Sequence, residues 1–188
     1  MSNEYGTFSD NPQTEWLSEP DDDRNMKLLR DFSYTDPDGK VWLAPIGSVI
    51  NGASIPAPLW STVGSPYTGD YRNASIVHDV ACDQANSASD REAADKMFYL
   101  ACLAGGCNTA EARLFYLGVR IGAWGTGQAG WMARLRPKNL LFRLRTEPRL
   151  PEEQQIRNKF DSVRAKLETL AVTDGFDKLE ALVNAELK

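Results

Sequence analysis

The spacing of apolar residues changes near residue 70, and this change constrains the fold more than any other feature of the chain. Before it, apolar residues come in short stretches cut by turn residues. "KLLRDFSYTDPDGKVWLAP" (27–45) places two such stretches around Asp36-Pro37-Asp38-Gly39, a hairpin signal. "GSVINGASIPAPLW" (47–60) follows, with a turn at Asn51-Gly52 and with Pro56 and Pro58 stopping further ladder bonds. After residue 70 the period becomes helical. Asp70 is expected to cap a helix over about 71–86. Ser89 and Glu92 form a capping box for a second over about 90–104, stopped by Gly105-Gly106. Asn108 opens a third that reaches about Trp124. Pro151 begins an amphipathic helix, Asp174-Gly175 breaks it, and a last helix runs to about Leu187. Strands followed by helices give an α+β chain: a small antiparallel sheet, a helical core of three helices with an antiparallel pair, and a C-terminal helical arm.

The chain's 188 residues fit one domain with appendages, and 42% hydrophobic with 25% charged residues is ordinary for a water-soluble protein. No apolar run reaches membrane-spanning length. "MSNEYGTFSD" has neither the basic region nor the apolar core of a secretory signal, so synthesis and folding in a cytoplasm are expected. Charge is uneven. Residues 1–25 carry seven acidic residues against Arg24, and residues 130–150 carry six basic ones against Glu147. The expected divisions are an acidic extended arm (1–25), a core domain (26–130), a basic connector (131–150) and the helical arm (151–188). Both ends are expected to dock onto another chain, because the arm has few apolar residues and the late helices have a stripe to cover. "RLRPKNLLFRLR" fits a contact with anionic lipid, but the net charge of −5 disfavours nucleic acid as the main partner.

The only histidine, His78, lies on the apolar stripe Ala74, Val77, His78, Ala81, Ala85. On the next helix Asp95 lies on the stripe Arg91, Ala94, Asp95, Phe98, Ala101, Cys102. At roughly 1.5 Å per residue the two sit about 12 and 9 Å from the connecting turn, nearly level on facing helices. A buried carboxylate needs a partner, and the imidazole is the obvious one. Asp95 would then hold one ring nitrogen and leave the other as a base toward water. Asp79, about 100° further round, falls on the polar face with Ser75, Asp83 and Asn86. There it is placed to bind a hard cation with loop carbonyls. The bland reading is a structural His–Asp pair that fixes two helices.

Two resemblances attach to these residues. "NGASIPAPLW" (51–60), Gly64, "YRNASIVHD" (71–79), Arg91 and "ADKMF" (94–98) resemble the phage and bacterial family called domain of unknown function 1353. That family usually has an acidic residue where Asn51 stands and an aromatic where Cys82 stands. It has no settled activity, and its frequent phage origin implies a phage or prophage source. Locally, "VGSPYTGDYRNASIVHDVACDQ" with "REAADKMF" is similar to the catalytic helices of phospholipase A₂. This second resemblance implies that His78 activates water, Asp95 orients it and Asp79 binds calcium, with phospholipid as substrate. Cys82 stands where a supporting tyrosine is usual. The calcium loop is not recognisable; Asn51, Gly52, Gly64 and Gly69 are its candidate loop residues.

Cys82, Cys102 and Cys107 with His78 also make H-x₃-C and C-x₄-C, the count of a zinc site. A disulfide from Cys82 to Cys102 or Cys107 and small core thiols are the other readings, with reduced thiols expected. Two functions stand side by side. One is a metal-assisted lipid hydrolase carried in a phage particle. The other is a non-catalytic phage structural or assembly protein that docks onto virion proteins or copies of itself through residues 1–25 and 150–188.

Overall fold

The computed structural model of the chain describes residues 4–18, 25–64, 69–125 and 151–188. The basic stretch 131–150 and the acidic residues Glu19 to Asp23 lie outside them. The described residues form two compact units. The first holds residues 1–53 and 64–112, the second residues 54–63 and 113–188.

The first unit is α+β. Its strands are β1 (Thr7–Phe8), β2 (Thr14–Trp16), β3 (Met26–Leu28), β4 (Phe32–Thr35), β5 (Val41–Ala44) and β6 (Val49–Ile50). They make two antiparallel three-stranded sheets, ordered β1-β4-β5 and β2-β3-β6. The Asp-Pro-Asp-Gly hairpin is there, with Tyr34 opposite Trp42 and Thr35 opposite Val41. Asp36 closes it: one carboxylate oxygen accepts from the backbone N–H of Asp38 and Lys40, the other from the Trp42 indole. Gly39 supplies the positive φ of 83° that the turn requires.

The acidic segment, read as extended but without a strand period, contributes two short strands. Residues 7–8 pair with β4 and residues 14–16 with β3, so the segment adds an edge strand to each sheet. Strands of two and three residues are too short to show an alternating pattern. Gly6 makes the first pairing possible, since a Cβ there would lie 2.3 Å from the Thr35 carbonyl oxygen.

The unit's helices are α2 (Arg72–Gln84) and α3 (Ala88–Ala104), after a short α1 (Trp60–Val63) that belongs to the second unit. Packing of α2 against α3 on one side and against β4, β5 and β6 on others buries every residue from Ala74 to Val80. A stripe reading assumes one dry face; α2 has several. Ser75 and Asp79, expected on a polar face, are therefore buried. Two caps also differ. Asp70 does not cap α2, whose N-cap is Tyr71 without a side-chain bond. Its backbone instead lies against the end of α3, where a Cβ on Gly105 would come within 2.4 Å of the Asp70 oxygen. The box at α3 is Ser87 with Asp90, not Ser89 with Glu92: Ser87 accepts from the Asp90 N–H and Asp90 from the Asn86 N–H. The box at Asn108 and Glu111 opens α4 (Thr109–Gly125), the third helix.

The division between units falls within α4. From Arg113 onward it belongs with residues 54–63, α5 (Pro151–Leu167) and α6 (Phe176–Glu186). The C-terminal helices are thus not a separate arm, and their stripe is covered within the chain: Phe160, Val163, Leu179 and Val183 are all buried. Arg113 donates to the carbonyls of Leu170, Ala171 and Asp174, which ties the connection between α5 and α6 to α4. Gly118 and Gly122 on α4 face the "SIP" segment closely. A Cβ on Gly122 would lie 2.3 Å from the Ser54 carbonyl oxygen.

Gly122→Ala is expected to destabilise the chain by about 1–3 kcal/mol, the scale of overpacking. Gly39→Ala, which meets nothing within 4 Å, should cost only the left-handed backbone strain, about 1 kcal/mol. Urea unfolding midpoints of the two variants check that order.

Candidate functional site

α2 carries His78, Asp79 and Cys82; α3 carries Arg91, Asp95 and Phe98. The antiparallel pair brings His78 and Asp95 level. His78 Nε2 lies 2.8 Å from Asp95 Oδ1, and both side chains are 0% exposed. The same carboxylate oxygen accepts from Arg91 Nε at 3.2 Å. Cys82 Sγ lies 3.3 Å from His78 Nε2 and 3.8 Å from Nδ1. The Phe98 ring packs on the imidazole with centroids 4.7 Å apart. One fully buried carboxylate thus gathers a buried imidazole and a partly exposed guanidinium.

Burial alone would lower the His78 pKa. The Cys82 sulfur and the Asp95 carboxylate act against it, and the net effect raises His78 from 6.5 to about 9. The folded chain therefore holds this proton more tightly than the unfolded chain. The resulting stabilisation is full below about pH 6.5 and is lost as pH rises through about 9.

Asp79 occupies a different place from the one expected. It is buried, and its Oδ2 accepts from the Asn51 backbone N–H at 2.7 Å. The Asn51-Gly52 turn is in this way fastened to α2, with Gly52 at a φ of 94°. Gly64 and Gly69 also have positive φ, and both lie near the Tyr71 ring. Burial, then the sulfurs of Cys102 and Cys107, pushes the Tyr71 hydroxyl up to about 12. Residues 65–68 between these glycines lie outside the described residues. Calcium takes six to eight oxygen ligands. Among the described residues no group of three or more His, Cys, Asp or Glu side chains placed to hold a metal includes Asp79.

The cysteines are all free and buried. Cys102 and Cys107 sit together at the end of α3, where the Cys107 N–H donates to the Cys102 carbonyl. They do not join His78, so the four-residue zinc set does not converge. Cys82 does reach the imidazole, as Arg91 reaches Asp95. Both follow the i,i+4 spacing that places side chains over one another on a helix. The bond from Asp79 to Asn51 had no such signal, because it crosses 28 residues.

A family model described as "Protein of unknown function (DUF1353)" matches residues 26–119. The uncharacterized protein y4jT of Sinorhizobium fredii (strain NBRC 101917 / NGR234) is 35% identical over 116 residues, 61% of this chain and 33% of that protein. The uncharacterized protein y4iH of the same strain is 35% identical over 98 residues, 52% of this chain and 40% of that protein. The chain therefore spans between about a third and two fifths of the length of these curated relatives. No solved structure matches it. The likeness to phospholipase A₂ finds no counterpart in these matches.

Asp95→Asn and Asp79→Ala are each expected to destabilise the fold by about 1–3 kcal/mol, the scale of a broken buried hydrogen bond. Near-zero cost for Asp79→Ala would place it on a solvated face after all. With a chelator present, stability should fall between about pH 6.5 and 9 in the parent chain and should lose that slope in His78→Gln. Thermal melts across that range check it.

Proposed function

The chain belongs to the DUF1353 family, and from that premise we propose that it is a non-catalytic structural or assembly protein of phage or prophage origin. The observation that carries this reading is the complete burial of His78 and Asp95. A general base must reach water and substrate. Two cavities on this unit meet α2 at other residues: Arg72 and Ile76 in one, Val77, Ala81 and Gln84 in the other. The pair serves as a clamp between α2 and α3, and Asp79 serves as a clasp on the Asn51 turn.

Docking is supported by apolar side chains left in water. Trp16 is 62% exposed and Val172 78%, one in each of the end segments assigned to partner contact. Val41, Leu43, Ile46 and Val49 are exposed on the strands and the turn between them. Exposed apolar groups are where such contacts would form. The partners are other virion proteins or further copies of the chain.

The test has two arms. Full-length protein on mixed phospholipid vesicles with calcium should release no more fatty acid than His78→Ala. Chemical cross-linking in a particle-producing lysate should capture the parent chain in a defined complex, and Trp16→Ser with Val172→Ser should weaken that capture. Calcium-dependent hydrolysis abolished by His78→Ala would overturn the proposal.

A further inference from the structure

We infer that His78 Nε2, Cys82 Sγ and Asp95 Oδ1 form a buried site for a zinc-class divalent cation. This goes beyond the assembly reading and stands whether or not the chain docks. The three atoms lie within 4.8 Å of one another, and all three residues are buried. Nε2 is the atom nearest both partners, 2.8 Å from Oδ1 and 3.3 Å from Sγ. Imidazole, thiolate and carboxylate are the ligand types that zinc takes. At ordinary zinc–ligand lengths, neighbouring ligand atoms of a tetrahedral site lie about 3.3–3.6 Å apart. The sulfur is already near that spacing from the nitrogen, and it lies within 4.8 Å of the carboxylate oxygen. The nitrogen and oxygen need to part by about half an ångström.

The donor types match the charge of the ion: a thiolate and a carboxylate together balance a divalent cation, so the ion would not enter the interior as an uncompensated charge. Arg91 remains as the outer partner of the ligating carboxylate, the arrangement that orients ligands in metal sites. His78 and Cys82 come from one turn of α2 and Asp95 from α3, so the ion would join the helices that the hydrogen bond already joins. Cys102 and Cys107 take no part.

The full-length chain is refolded with excess zinc, passed through a desalting column and assayed for metal; a parallel sample is refolded with cobalt. The expected result is a single zinc ion per chain, and a cobalt spectrum with a thiolate charge-transfer band. Both should be lost in Cys82→Ser and kept in Cys102→Ser and Cys107→Ser. Circular dichroism shows that Cys82→Ser has folded. Where it has not, the band in the Cys102→Ser/Cys107→Ser double variant decides, since Cys82 is then the only thiol. Parent protein that keeps no zinc, zinc retained by folded Cys82→Ser, or a double variant without the band would each overturn the assignment.

Discussion

One buried carboxylate organises the first unit. Asp95 sits in the middle of α3 with no access to water, and an isolated charge there would be costly. Two donors make it tolerable: the His78 imidazole across the helix interface and the Arg91 guanidinium one turn back. This fixes the rotation and the level of α2 against α3 together. A helix slid by one turn would leave Asp95 without its imidazole. Breaking such a pair costs more than forming it gains, because one partner stays buried and uncompensated. The contact therefore specifies an arrangement as much as it stabilises one.

The rest of the unit follows from that placement. With α2 held, its other flank meets the sheets, and Asp79 reaches the backbone of Asn51. The "NGASIP" segment then leaves the first unit at residue 53, and its continuation packs against the glycines of α4 in the second. His78-Asp79 thus performs two neighbouring tasks with one dipeptide. The histidine joins two helices, and the aspartate joins a helix to a turn. A His-Asp pair on a helix is shared by hydrolytic sites and by packing motifs. Here both members are buried.

Much of this was legible from residue patterns. The hairpin at Asp36–Gly39, the level match of His78 with Asp95 and the helix start at Asn108 all rest on short-range signals, and the structure contains each. What escaped depends on partners distant in the chain. β1 and β2 exist because β4 and β3 offer edges, and nothing in their short, turn-rich sequence announces that. Asp79 looks solvated on a helical wheel because the wheel assumes one packed face, whereas α2 has neighbours on several. The helices after residue 150 look partnerless because their partner is α4, reached only after the basic stretch. The family was legible in the order of its motifs, from "NGASIP" through "VHD" to "ADKMF". An activity was not, because the same residues serve either reading.

The central claim is that His78 and Asp95 act on each other, as a clamp, rather than on a substrate. A double-mutant cycle measures this directly: unfolding free energies of the parent chain, His78→Ala, Asp95→Ala and the double variant, by urea titration with a chelator present. A clamp predicts strong non-additivity. The second substitution should cost much less than the first, with a coupling energy of about 1–3 kcal/mol. Additive costs, or single variants as stable as the parent, would mean that neither residue holds the other, and would contradict the account.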